Sequence, residues 1–194
     1  MNKTLYNLSQ AFIGESQARN RYTFYAKIAR KEGFEQIAEI FQITADNEKT
    51  HAKRLFEHIQ ELKKKLKTKD EEIKVEAAAP ITYGTTAQNL QSAIAGEHHE
   101  YSQMYPDFAK TAKSEKLPAI SKRLMAIAQV EKHHEERFKK LLAVVTNKTA
   151  FNKKKDVEWV CRECGYVHKG KTPPNVCPSC DHPKSFYQLK CEQY

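Results

Sequence analysis

The sequence has no apolar run approaching the roughly 18 to 20 residues that span a bilayer. Its opening, MNKTLYNLSQAFIGESQ, holds no apolar block of the signal-peptide kind, so the expected location is the cytoplasm and no membrane partner is expected. No cysteine precedes residue 161; the five are Cys161, Cys164, Cys177, Cys180 and Cys191. That crowding excludes a disulfide framework spread through the fold. Acidic residues are in deficit, since 33 Lys+Arg against 24 Asp+Glu leave +9. A nucleic-acid binder could share this balance, but the lysines are dispersed and no recognition motif accompanies them, so nucleic acid is not an expected partner. Carboxylates consumed by metal would leave the same excess. With 194 residues, 40% hydrophobic and 29% charged, the chain can pack one medium domain and a small appendage, and wholesale disorder is excluded.

Residues 4–32 repeat apolar positions with helical spacing, through Leu5, Leu8, Phe12, Ala18, Tyr22, Tyr25 and Ala29. Lys31-Glu32-Gly33 gives a basic end and a glycine stop. A second helix is predicted from about Phe34 to Leu66, with Ile37, Phe41, Thr44, Glu48, His51, Leu55, His58 and Ile59 on its inner stripe. Residues 67–85 break the period and read as a long exposed connection. Thr85 or Thr86 can cap a third helix to about Ser114, and Pro118 suits the first turn of a fourth to about Val145. Beyond Asn152-Lys153-Lys154-Lys155 the helical period stops. The expected division is therefore 1–147 for the helices, 148–155 for a linker and 156–194 for a small unit.

The helices contain a repeat. A shift of 83 lays Ala26-Lys27-x-Ala29-Arg30-x-Glu32 on Ala109-Lys110-x-Ala112-Lys113-x-Glu115, and Glu48-x-x-His51-x-x-Arg54 on Glu131-x-x-His134-x-x-Arg137. Tyr22 falls on Tyr105. Upstream the shift is 82, laying Gly14-Glu15 on Gly96-Glu97, so one extra residue lies between 98 and 104. Two related helix pairs predict a mainly α four-helix bundle with a pseudo-twofold axis and a long crossover. In an ideal helix Tyr22, seven residues after Glu15, is nearly in line with it. Tyr105, eight after Glu97, is about 80° off at roughly 100° per residue. A one-residue π-bulge in 98–104 would restore the alignment. Both tyrosines could then donate hydrogen bonds to carboxylates, although each could equally be plain core.

Glu48-x-x-His51 and Glu131-x-x-His134 each set a carboxylate and an imidazole one turn apart on one face, and Glu15 and Glu97 are single glutamates on the other two helices. That is the donor pattern of a di-iron carboxylate bundle. Oxygen and imidazole donors suit iron or manganese, and bridging carboxylates hold two metals at roughly 3.5–4 Å. One E-x-x-H alone would be ordinary surface charge; two at repeat-related positions in register with apolar neighbours are not. Glu100, whose counterpart is Ala18, is a fifth carboxylate. Four glutamates neutralise two ferrous ions, whereas five suit two ferric ions. Glu100 therefore reads as a ligand of the oxidised state, with neutral His51 serving the same iron when reduced. His98, His99 and His133 differ in helical phase and read as surface groups or supports, and His58 as core or edge.

Cys161-x-x-Cys164 and Cys177-x-x-Cys180, twelve residues apart, form two knuckles that deliver four thiolates to iron or to zinc. Trp159, Tyr166, Phe186 and Tyr187 could build a small core around them, and Cys191 reads as a bystander.

GESQARNRY, ADNEKTHAKRLF, AGEHHEYSQMYP, Glu131-x-x-His134-Glu135 and CRECGY…CPSC, in that order, resemble the rubrerythrin family over essentially the whole chain. The resemblance implies a ferritin-like di-iron bundle followed by a rubredoxin-like domain with short strands. It implies a peroxidase reducing hydrogen peroxide to water, with electrons ultimately from NAD(P)H through a rubredoxin or a reductase. It carries over Glu15, Glu48, His51, Glu97, Glu100, Glu131 and His134 as ligands of two non-haem irons. It likewise carries over Cys161, Cys164, Cys177 and Cys180 as ligands of one iron, which zinc can replace on heterologous expression. The catalytic residues so implied are Glu100, His51, Tyr22 and Tyr105, and a homodimer or larger homo-oligomer is expected. A ferroxidase or iron-storage protein shares the four-helix site, but the cysteine unit and Glu100 argue against it. The lysine-rich stretch 63–74 departs from the family pattern.

Overall fold

The computed structural model describes residues 2–192. Residues 1, 193 and 194, the outer ends of the expected 1–147 and 156–194 segments, lie outside the described residues. Asn2 caps the first helix by accepting from the Leu5 N–H at 2.9 Å, and α1 runs Lys3–Lys31. Gly33, at φ 80°, turns the chain so that the Phe34 N–H reaches back to the Ala29 carbonyl at 2.8 Å. α2, Glu35–Leu66, follows. The other half repeats this turn: Lys116, at φ 59°, takes the place of Gly33, and the Leu117 N–H bonds to the Ala112 carbonyl at 2.9 Å. The repeat therefore extends beyond the motifs into the turn geometry.

Residues 67–85 carry no helix or strand. Thr85, rather than Thr86, caps α3, Thr86–His99, in a reciprocal box with Gln88. The helix then widens into a π segment, Glu100–Met104, before continuing as α4, Tyr105–Ser114. The one-residue mismatch in the repeat predicts a π-bulge in that place. α5, Pro118–Thr146, completes the bundle, with Pro118 at its first turn.

Two apolar clusters fill the bundle. One gathers Leu5, Leu8, Leu55, Ile59, Tyr105 and Leu124. The other gathers Tyr22, Tyr25, Phe41, Leu90 and Phe138. Between them lies a buried polar layer of Glu15, Glu48, Glu97, Glu131 and His134. The apolar ends supply the driving force for packing, and the polar layer costs free energy unless its charges are compensated.

After α5 the chain forms a three-stranded antiparallel sheet of order β2-β1-β3, from β1 (Val157–Cys161), β2 (Val167–Gly170) and β3 (Tyr187–Leu189). Trp159 and Tyr187 are buried there, with Phe186 packed beside them. Tyr166, expected in this core, instead lies exposed at the tip of the first knuckle. The strand unit meets the α1–α2 turn: Arg162 pairs with Glu39 at 2.5 Å, and the rings of Phe34 and Phe151 stack. The fold is thus a four-helix bundle with a long crossover, followed by a small three-stranded cysteine-knuckle unit. Among the described residues no helix is long and apolar enough to cross a membrane.

Candidate metal centres

Four helices each deliver part of the polar layer. Glu48 and His51 lie one turn apart on α2, Glu131 and His134 one turn apart on α5, Glu15 on α1 and Glu97 on α3. Their donor atoms fall into two groups, Glu15, Glu48, His51 and Glu131, and Glu48, Glu97, Glu131 and His134. The two middle carboxylates are divided between them. His51 Nδ1 is 3.0 Å from Glu48 Oε2 and 2.9 Å from Glu131 Oε1. His134 Nδ1 is 3.2 Å from Glu48 Oε1 and 2.9 Å from Glu131 Oε2. Glu15 Oε2 closes the first group at 3.7 Å from His51, and Glu97 Oε1 closes the second at 3.7 Å from His134. Each of Glu48 and Glu131 thus offers one oxygen to each group, the arrangement of a bridging carboxylate.

Whether these residues suit metal ions is decided by their unmet bonding. Glu15 Oε2, both oxygens of Glu48, both of Glu131, Glu97 Oε2 and Nδ1 of both histidines are buried without hydrogen-bond partners. Close approach without hydrogen-bond geometry means that the atoms point at shared positions rather than at one another. Buried polar atoms are otherwise almost always satisfied. Four carboxylates against two imidazoles leave negative charge in excess even when both rings are protonated, and an uncompensated buried charge costs several kcal/mol. Two divalent cations meet both needs, and the donor set fits a two-metal centre.

Electrostatics report the same crowding. Burial raises Glu15 well above the usual carboxylate range, and Glu131 adds to it. Burial and the neighbouring Glu48 push Glu97 up to about 8. Burial would raise Glu48 too, but the close His134 and His51 rings hold it at about 2. Burial disfavours charge on His134, yet Glu131, Glu48 and Glu97 outweigh it and lift the ring to about 12. His51 is raised in the same way, with burial outweighed by Glu131, Glu15 and Glu48.

The two tyrosines bind crosswise. Tyr22 of α1 donates to Glu97 Oε1 of α3 at 2.6 Å, and Tyr105 of α4 donates to Glu15 Oε1 of α1. In Glu15 the oxygen facing His51, Oε2, is left without a hydrogen-bond partner; in Glu97 the oxygen nearest His134 is the one Tyr22 holds, and Oε2 is left without one. Burial, and then Glu97 or Glu15, hold both phenols well above their ordinary pKa, so they act as donors and not as charges.

Glu100 opens the π segment, half-buried and outside both donor groups. Burial first, then Glu97 and Glu15, raise its carboxyl well above the usual range. His51 is the more open of the two ring donors, with its side chain 12% exposed against 1% for His134.

His99 and His133 are exposed, and His58 is half-buried beside Glu61 at 3.0 Å. His98 is exposed and lies 2.9 Å from Glu135. Sequence reasoning gave Glu135 no role, yet it is buried and also holds Lys139 at 2.8 Å and Tyr101 of the π segment at 3.4 Å. Its position directly after His134 was the available signal. Arg137 was likewise missed: it donates to Thr44, one turn before Glu48 on α2, at 2.6 Å.

In the strand unit, the Gly165 N–H bonds to the Cys161 carbonyl at 2.9 Å and the Asp181 N–H to the Cys177 carbonyl at 3.0 Å. Gly165 and Asp181 both have positive φ, so the knuckles are two copies of one turn. Cys161 Sγ lies 3.7 Å from Cys180 Sγ, and Cys164 Sγ lies 3.7 Å from Cys177 Sγ. A disulfide would need about 2.05 Å. Four sulfurs about 2.3 Å from a tetrahedral metal lie about 3.8 Å apart, so the spacing fits a mononuclear site. Burial raises the Cys177 thiol, but the Tyr187 hydroxyl and the amides of Ser179 and Cys180 bring it down to about 6, readying it as thiolate. Cys191 is exposed and apart from the four.

Fold and sites together define a bundle protein with a carboxylate-histidine two-metal centre joined to a four-cysteine metal site. The rubrerythrin profile matches residues 6–142, and the profile of the rubrerythrin rubredoxin-like domain matches 159–188. The chain belongs to the rubrerythrin family. It is 58% identical over 195 aligned positions to a Methanocaldococcus jannaschii protein classed with the rubrerythrins, covering 100% of this chain and 96% of that one. It is 45% identical to rubrerythrin-1 of Clostridium acetobutylicum, covering 99% of this chain and 96% of that one. The solved structure of partially reduced nigerythrin matches 96% of this chain and 86% of its own with a TM-score of 0.64 at 31% identity.

Proposed function

We propose that this chain is a hydrogen peroxide reductase. Electrons from an NAD(P)H-linked donor, a rubredoxin or a reductase, enter at the cysteine site and pass to the bundle. The observation that carries the proposal is the pairing, in one chain, of two donor groups sharing Glu48 and Glu131 with a four-thiolate site. A two-metal centre of this kind can deliver two electrons to one substrate, and a thiolate-bound metal can return them singly. Rubrerythrins are generally peroxide reductases, which supports the same reading. Residues 1–147 are proposed as the reducing unit and 156–194 as the electron-entry unit, joined by 148–155, in a cytoplasmic homodimer or larger homo-oligomer.

Iron is the proposed metal at both sites. Glu15, Glu48, His51 and Glu131 would hold one ion, Glu48, Glu97, Glu131 and His134 the second, and Cys161, Cys164, Cys177 and Cys180 the third. When bound, the iron pair would supply the two electrons that break the O–O bond of peroxide. The residues supply position and protons. Tyr22 and Tyr105 fix the orientation of Glu97 and Glu15 through their crossed hydrogen bonds. Glu100, whose carboxyl burial and the neighbouring Glu97 hold well above the usual range, would be the group that protonates the departing oxygen. When ionised it would offer a fifth carboxylate to an oxidised pair, with His51 as the alternative ligand of the reduced one.

The test is the visible spectrum of the pure protein. Thiolate absorption should bleach with an NADH-linked donor and return on adding peroxide, with NADH consumed in proportion. A bleached protein that peroxide leaves bleached overturns the proposal.

A further inference from the structure

Gly14 lies in the middle of α1 and Gly96 within α3, and the shift of 82 relates them. Glycine inside a helix costs stability relative to alanine, so two repeat-related glycines call for a reason. Neither has the positive φ that favours glycine. A Cβ at Gly14 would meet no atom within 4 Å, and one at Gly96 only Arg21 Nη2, at 4.0 Å. Backbone geometry and close packing are therefore both excluded as the reason. What the glycines share is position. Each directly precedes a donor glutamate, and both line one cavity between α1 and α3, together with Arg21, His99 and Glu100.

The crossover roofs this cavity at residues 77–80, a stretch without helix or strand. Two glutamines of α1 tie it down: Gln10 donates to the Glu76 carbonyl at 3.0 Å and Gln17 to the Ala78 carbonyl at 2.8 Å. Both bonds are exposed to water and so are readily exchanged. Arg21 lines the cavity, and its Nη1 is buried without a hydrogen-bond partner.

We propose that this cavity is the port by which small solutes, hydrogen peroxide and the metal ions themselves, reach the buried donors. Gly14 and Gly96 keep its walls open and residues 76–80 form its cover. Arg21 and His99 are the basic groups on its lining, and Glu100 is the acidic one, with the carboxylates of the centre behind it. The port rests on the reading of the cluster as a metal centre, not on the reduction of peroxide.

The test is stopped-flow uptake of cobalt(II) by the metal-free full-length chain. Gly14→Leu fills the space with a side chain that helices favour, and Gly14→Ala is too small to fill it. Cobalt bound to the four thiolates absorbs separately and should load at the parent rate in every variant. Uptake by the bundle should match the parent in Gly14→Ala and slow by at least about tenfold in Gly14→Leu, the factor a barrier higher by about 1.4 kcal/mol gives. Final stoichiometry should be unchanged. Equal bundle uptake in Gly14→Leu and parent overturns the port. If Gly14→Leu does not bind its full cobalt, the Gln10→Ala/Gln17→Ala double variant decides, since its untied cover should speed uptake and an unchanged or slower rate overturns the port. Slowed cobalt uptake in Gly14→Leu, beside an iron-loaded parent inert to peroxide, would uphold the port and sink the peroxidase reading alone.

Discussion

Tyr22→Phe removes one hydroxyl and leaves a ring of the same shape. The ring packs against Phe41 at 6.0 Å and Phe138 at 5.5 Å between centroids, contacts that phenylalanine keeps. What is lost is the 2.6 Å hydrogen bond to Glu97 Oε1, in a buried setting. A hydrogen bond to a charged partner is worth roughly 1.5–3 kcal/mol. With the bond gone, Glu97 is free to rotate away from His134, and part of the binding energy goes to ordering it again. Removal of a group that orients a ligand typically costs about 10–100-fold in metal affinity, the same range in other units. Competition titration of cobalt(II) against a chromophoric chelator, on the metal-free chain, should show one bundle ion weakened by that factor. The ion held through Glu15 should be nearly unaffected. Tyr105→Phe should reverse the pattern, because its hydroxyl serves Glu15. Parent affinity at both ions in a folded Tyr22→Phe protein would refute the reasoning and return the tyrosine to plain core.

Removing metal should lower the melting temperature of the bundle, since buried carboxylates then repel without a cation; an unchanged melting curve would mean that the glutamates face solvent. The metal-free protein should also lose stability between about pH 5 and 8. Glu97, with a folded pKa of about 8 against an ordinary 4.5, binds a proton in that window that the unfolded chain has released, so rising pH removes a stabilising proton. Glu15 and Glu100 act in the same direction. The contribution of His134, complete below 6.5, fades as pH climbs towards 12. Glu48 has the opposite sign and matters only as pH falls from 4.5 towards 2. Melting curves of stripped and reloaded protein across this range should diverge with pH, and parallel curves would contradict the assignment. Glu100→Ala should still bind two ferrous ions, while peroxide turnover falls by roughly 10²–10⁴ if its proton is used. Equal stopped-flow rates in variant and parent would remove Glu100 from the reaction. Cys161→Ser or Cys177→Ser should abolish thiolate absorption and leave the far-ultraviolet helical signal intact. Full NADH-linked turnover in the colourless variant would remove the cysteine site from the electron path.

The sequence by itself determined the helices, the repeat and the donor residues, because each is a matter of spacing along one chain. Apolar period fixes which face of α2 is buried, and an i,i+3 pair on that face must bring Glu48 and His51 together wherever the helix packs. The same arithmetic located the π segment, since one surplus residue before Tyr105 must be absorbed if Tyr105 is to stand where Tyr22 does. Spacing says nothing about which partner lies across the bundle. Only packing decided that Tyr22 bonds to Glu97 and Tyr105 to Glu15, each on a different helix from its donor. Only packing divided the oxygens of Glu48 and Glu131 between two donor groups and left Glu100 beside them. Tyr166 escaped the small core because it sits at a knuckle tip, where the turn that presents the cysteines points its neighbour outward. Glu135 is invisible in a charged helix until α3 and the π segment bring His98 and Tyr101 against it. The cavity beside Gly14 is a product of three elements at once, α1, α3 and the crossover, and a glycine's missing side chain acquires meaning only from what surrounds the space it leaves.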